Sequence, residues 1–134
     1  MIKQPHWRIL YIEDQTEMID LVRLALQSMG CDVYGASDGA LGLSMMREVA
    51  PDLVLLDLML PGLDGWKISG EMRDDPALRR VPVVLVTARV QFTASPHGRP
   101  LPEADAYVTK PFSLAQIRAT VAAVLQRQVQ HQDV

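Results

Sequence analysis

Short apolar runs, several of them apolar at every position, alternate along this chain with longer segments of helical spacing. That alternation restricts the chain to a parallel sheet covered by helices on both faces. The runs are Ile9 to Ile12, Cys31 to Ala36 with polar interruptions, Leu53 to Leu56, Val83 to Val86 and Ala106 to Thr109. A strand wetted on one face would alternate apolar with polar residues, and Leu53-Val-Leu-Leu56 does not. The class predicted is α/β, with five parallel strands.

The helical segments carry their own start and stop signals. Met18, Val22, Ala25, Leu26 and Met29 recur at steps of three and four, which puts them on one helix face, and Gly30 supplies the stop. A second helix is expected from about Ser37 or Asp38 to Val49, ahead of Pro51, and a third follows Asp64. The last opens on a capping box, Ser113-Leu-Ala-Gln116, with Leu114, Ile117, Val121 and Leu125 on one side. Beyond Gln128 the sequence is polar and is expected to fray. The division expected is an N-terminal extension over 1–7, one domain over 8–127 and a tail over 128–134. Between Thr87 and Tyr107, however, stand Pro96, Gly98, Pro100 and Pro102. Each proline costs a helix interior about 3 kcal/mol, so an irregular segment over about 92–103 is expected in place of a regular fourth helix.

Composition narrows the function classes. At 134 residues the chain has room for one core, and a net charge of -3 lacks the basic excess needed to grip nucleic acid or anionic lipid non-specifically. No direct nucleic-acid or membrane contact is therefore expected. Cys31 is the single cysteine, so no intrachain disulfide forms and a cytoplasmic location is the simplest; a small buried strand residue is its plainest reading. No apolar stretch suits a signal peptide or approaches the roughly 20 residues of a membrane span. His6, His97 and His131 lack zinc-ligand spacing and read as surface residues, and Met45, Met46 and Met72 read as core filler.

The chemistry lies where the strands end. Glu13 and Asp14 follow the first run, Asp57 the third, Thr87 the fourth and Lys110 the fifth. In a parallel sheet these endings share the carboxyl edge, where open α/β sheets bind ligands. Asp57 stands between Leu-Val-Leu-Leu and Leu-Met-Leu, where an unpaired charge would be prohibitive. Two further carboxylates would repel it unless a hard cation neutralised the group, and magnesium suits such an oxygen set. Asp57 as nucleophile, Lys110 and a metal as charge stabilisers and Thr87 as hydroxyl donor make up a phosphoryl-transfer site whose product is a transient acyl phosphate.

Read singly, each residue has a plainer explanation. Glu13 and Asp14 are equally a solvated helix start, Thr87 a strand residue, Tyr107 a core aromatic and Lys110 a surface lysine. Asp57 paired with Lys110 in a purely structural role is the least apt of these.

Together, Glu13-Asp14, Asp57-Leu-Met-Leu-Pro-Gly-Leu-Asp-Gly65, Thr87-Ala88 and Lys110-Pro111-Phe112 resemble the receiver domains of two-component response regulators over nearly the whole chain. The resemblance implies a doubly wound sheet in the flavodoxin-like order 2-1-3-4-5. It implies phosphorylation of Asp57 by a sensor histidine kinase or phosphotransfer protein, with Mg2+ held by Asp14, Asp57 and the Met59 carbonyl, and Glu13 acting through water. Lys110 would pair with the phosphoryl group, the Lys110-Pro111 bond would be cis, and Thr87 and Tyr107 would form the switch pair. It further implies a downstream protein partner or output domain, with a homodimer as one form, and no enzymatic role beyond self-phosphorylation and self-dephosphorylation. One departure is Glu103-Ala104-Asp105, which lacks the glycine that usually caps the family's fourth helix. Two competing readings are a pseudo-receiver scaffold and an aspartyl phosphatase. The first would have lost an acidic residue or the lysine; the second would carry an aspartate where Met59 stands.

Overall fold

The computed structural model describes residues 6–60, 64–88 and 100–132, with side chains in the last helix described up to Val129. Among them, five parallel strands, β1 (Trp7–Ile12), β2 (Cys31–Ala36), β3 (Leu53–Asp57), β4 (Val83–Ala88) and β5 (Ala106–Lys110), form one sheet in the order β2-β1-β3-β4-β5. The helices are α1 (Thr16–Gln27), α2 (Gly39–Val49), α3 (Gly65–Asp74) and α4 (Leu114–Gln132).

The continuous apolar runs are explained by coverage on both sides. Ile9, Tyr11, Leu53, Leu55, Val84 and Val86 face one core with Val22 and Leu26 of α1 and Ile117 and Val121 of α4. Leu10, Ile12, Val54, Leu56 and Leu85 face a second core with Met46 of α2 and Ile68 and Met72 of α3. Successive residues of a strand alternate between faces, so a run apolar at every position requires helices on both. Cys31 is buried in β2, and burial pushes its thiol up to about 11, leaving it unreactive at neutral pH.

Local signals set the helix ends. Gly30 takes a φ of 76°, a left-handed turn that only glycine adopts without strain, and its N–H bonds to the Gln27 carbonyl. Asp38 and Asp64 cap α2 and α3 through their side chains. Ser113 and Gln116 exchange the reciprocal bonds of a capping box at 2.9 and 3.0 Å. α4 runs on to Gln132, past the Gln128 after which the polar tail was expected to fray. Val129, four residues beyond Leu125, continues the apolar stripe and lies with Trp7 and Met29 around one hollow.

The proline-rich segment expected over 92–103 falls largely on residues 89–99, outside those described. Its described part, residues 100–103, has no helix. Prolines there lack N–H groups, so side chains hold the backbone through its carbonyls. Trp66 Nε1 donates to the Pro100 carbonyl at 3.0 Å, and the Tyr107 hydroxyl donates to the Pro102 carbonyl at 2.9 Å. Leu101 packs between them against the second core.

Candidate functional site

Parallel pairing brings the ends of β1, β3, β4 and β5 to one edge, and the register sets Asp57 beside Val86 and Ala88 beside Lys110. Glu13 follows β1 and is fully buried, Asp57 ends β3 and is 4% exposed, and Asp14 lies exposed at the rim. One oxygen of each of these three carboxylates lies within 4.8 Å of the others. Lys110 reaches in from the end of β5. Its Nζ donates to Glu13 Oε1 at 2.6 Å and to Asp57 Oδ2 at 3.0 Å.

Each buried acid is held at both oxygens. Asp57 Oδ1 accepts from the Met59 N–H at 2.9 Å, which leaves Oδ2 to Lys110. Glu13 Oε2 accepts from the Gln15 N–H at 3.3 Å, while Oε1 accepts from Lys110 and from the Tyr11 hydroxyl at 3.2 Å. Burial in so polar a pocket is tolerated because no buried side-chain nitrogen or oxygen among the described residues lacks a partner. A solvated helix start is therefore excluded for Glu13, though Asp14 is exposed.

The charge balance is uneven, with three carboxylates against one ammonium. Burial alone would lower the pKa of Lys110, but its hydrogen bonds to Glu13 and Asp57 and their charges outweigh this and raise it. Asp14 is held above the usual carboxylate value, first by a hydrogen bond with the Glu13 carboxyl and then by burial. Three carboxylates this close repel one another, and a hard cation would relieve that repulsion, so this oxygen set fits a divalent ion such as magnesium. Burial, and then the Glu13 charge, drive the Tyr11 phenol far above its ordinary value, so it keeps the proton it donates to Glu13.

The remaining expected residues lie at the margin. Thr87 is fully buried, with its hydroxyl 3.4 Å from the Ala88 carbonyl it donates to, and Tyr107 on neighbouring β5 is 43% exposed and turned to Pro102. Met59 meets Asp57 through its backbone N–H and exposes its side chain. The Lys110-Pro111 peptide bond is cis.

Sequence reasoning passed over Tyr11 and gave Gly65 no role beyond its place in the motif after Asp57. Tyr11 carried a usable signal, since it stands two residues before Glu13 in a strand and so shares its face. At Gly65 the backbones of α3 and the segment after β3 meet. A Cβ there would lie 2.6 Å from Leu58 Cα and 3.0 Å from the Asp57 carbonyl oxygen. These obstacles are backbone, so Gly65→Ala should destabilise the fold by about 3 kcal/mol, at the upper end of overpacking costs. Urea unfolding checks this; a loss below about 0.5 kcal/mol would show that the segment yields freely.

Comparison with known proteins places this geometry in context. The family model described as "Response regulator receiver domain" matches residues 9–122. The DNA-binding dual master transcriptional regulator RpaA of Synechocystis sp. is 39% identical over 120 residues, which is 90% of this chain and 49% of the relative. This chain thus spans about half the length of that curated relative. Among solved structures, NtrX from Brucella abortus superposes with a TM-score of 0.81 at 26% identity, over 96% of this chain and 29% of that one. The chemotaxis response regulator CheY4 of Vibrio cholerae superposes with a TM-score of 0.79 at 21% identity, over 90% of this chain and 99% of that one, a likeness of fold. Because the first of these relatives is named as DNA-binding, the expectation of no nucleic-acid contact has no support for a longer protein containing this chain.

Proposed function

The chain belongs to the response regulator receiver domain family, and from that premise we propose that Asp57 is its phosphoacceptor in a magnesium-dependent switch. Receiver domains are signalling switches of two-component systems rather than enzymes acting on external substrates. The single observation that carries the proposal is the bridge from Lys110 to the buried Glu13 and Asp57, with Asp14 alongside.

In the proposed reaction an Asp57 carboxylate oxygen attacks the phosphorus of a phosphohistidine on a sensor kinase or phosphotransfer protein. The P–N bond breaks, its electron pair leaves on the imidazole, and Asp57 carries an acyl phosphate. Lys110 shifts from the Asp57 oxygen to the arriving phosphoryl oxygens, and the Thr87 hydroxyl donates to them. Asp14, Asp57 and the Met59 carbonyl would hold magnesium, with Glu13 acting through water. When bound, the ion adds positive charge against the transferring group.

Tyr107 forms the second half of the proposed switch. Turning inward requires it to give up the Pro102 carbonyl, and with that bond goes a side-chain tether on residues 100–102. The receiver is proposed to span 8–127, with 1–7 and 128–134 flanking it; 128–132 continue α4. An output reached through this surface, including one that binds DNA in a longer protein, is likewise a proposal. No helix among the described residues is long and apolar enough to cross a membrane, and a cytoplasmic location is proposed. The scaffold and phosphatase readings are not favoured, because the acidic group and the lysine are all present and Met59 supplies no acid.

Intact mass spectrometry after incubation with magnesium and acetyl phosphate tests the proposal. A gain of one phosphoryl group is expected. No gain from acetyl phosphate or from a phosphorylated kinase would overturn it.

A further inference from the structure

Tyr11 is an aromatic residue within β1, fully buried, yet its hydroxyl reaches a charged group of the site. Glu13 Oε1 accepts from two donors at once, Lys110 Nζ at 2.6 Å and Tyr11 at 3.2 Å. Lys110 thus sits closer to Glu13 than to Asp57 Oδ2, at 3.0 Å. As Lys110 exchanges the Asp57 oxygen for phosphoryl oxygens, the pull toward the phosphoryl group weakens its hold on Glu13. Glu13 is fully buried, so a weakened bond to its Oε1 is costly unless a second donor holds that oxygen.

We infer that Tyr11 is a positioning residue for phosphoryl transfer: its hydroxyl keeps the Glu13 Oε1 partnered and aimed while Lys110 is drawn toward the phosphoryl group. The inference rests on the proposed role of Asp57 and goes beyond it. The geometry suits the task in two ways. Residues two apart on a strand share a face, so the phenol lies directly beneath the acid it serves. Its 3.2 Å bond is longer than the usual hydroxyl-to-oxygen distance and has room to tighten as the ammonium withdraws. The ring itself packs among Ile9, Val22, Leu55 and Ile117, which fixes where the hydroxyl points.

The test is a double-mutant cycle on the rate of labelling by acetyl phosphate at saturating magnesium, read by intact mass. Tyr11→Phe keeps the ring and removes only the donor; Glu13→Asp keeps the charge but withdraws its oxygens by one methylene, out of the hydroxyl's reach. Tyr11→Phe is expected to slow labelling about tenfold in the parent, the scale of a hydrogen bond to a charged group, and less than about twofold in Glu13→Asp. A role confined to packing would slow both backgrounds alike, and that result overturns the inference, as does an unchanged rate in Tyr11→Phe. A parent that gains no phosphoryl group from acetyl phosphate and none from a phosphorylated kinase sinks the reading of Asp57 itself. A parent that labels beside an unaffected Tyr11→Phe variant sinks this inference alone.

Discussion

Asp57→Asn should gain no phosphoryl group under conditions in which the parent gains one. An amide nitrogen is not a nucleophile toward phosphorus, and the neighbouring acids are poorly placed to take over. Glu13 is fully buried with both oxygens engaged by Lys110, Tyr11 and Gln15. Asp14 is accessible, but the described hydrogen bonds of Lys110 run to Glu13 and Asp57, so the ammonium is aimed at those acids. The substitution should leave the fold intact. Asn keeps an oxygen for the Met59 N–H, and removal of one negative charge from a cluster of three relieves repulsion even as Lys110 loses a partner. Circular dichroism of the variant should therefore match the parent while intact mass shows no addition. A full phosphoryl gain in Asp57→Asn would move the acceptor to Glu13 or Asp14 and overturn the assignment.

Lys110→Ala is expected to cost both chemistry and stability. Loss of a positioned cation from a site of developing negative charge should slow labelling by at least about 100-fold. In metal-free buffer the variant leaves two buried carboxylates facing each other without their cation. Removing one partner of a buried ion pair costs 3–5 kcal/mol in general. Lys110 is 23% exposed and the acids can take up a proton, so a loss of about 2 kcal/mol is expected here. Magnesium should recover part of it, because a divalent ion answers the same charge; urea unfolding in EDTA and in millimolar magnesium separates the two. The pH dependence has a definite sign. The folded pKa of Lys110 is raised, so its contribution is full below the ordinary lysine value of about 10.4 and fades only as pH climbs through the higher folded value. Parent and variant should differ steadily through neutral pH and converge only in strong alkali. Equal stability in EDTA at pH 7 would mean that the ammonium does not support the buried acids.

Much of this was legible in one dimension because the signals are local. Runs apolar at every position predicted strands covered on both faces, and Asp38, Asp64 and the Ser113-Gln116 box marked helix starts through side chains that bond their own backbone a few residues on. The polar residues at strand ends pointed to one sheet edge because parallel strands share a direction. The extent of α4 was not legible for the opposite reason. Beyond Gln128 the local sequence is polar, and the isolated Val129 gains meaning only beside Trp7, on the far side of the chain's length.

By itself the sequence determined the fold class, the edge that carries the chemistry and the set of residue types gathered there, since periodicity and strand polarity are properties of neighbouring residues. Only the tertiary structure decided which atoms meet. Lys110 lies 53 residues from Asp57 and 97 from Glu13, and nothing local says that it would bridge both and lie nearer to Glu13. The same holds for the phenol of Tyr11 on Glu13, the backbone contact that forbids a side chain at Gly65, and the two tethers on residues 100–102. These depend on strand register, helix approach and side-chain packing, which are fixed by the whole core at once.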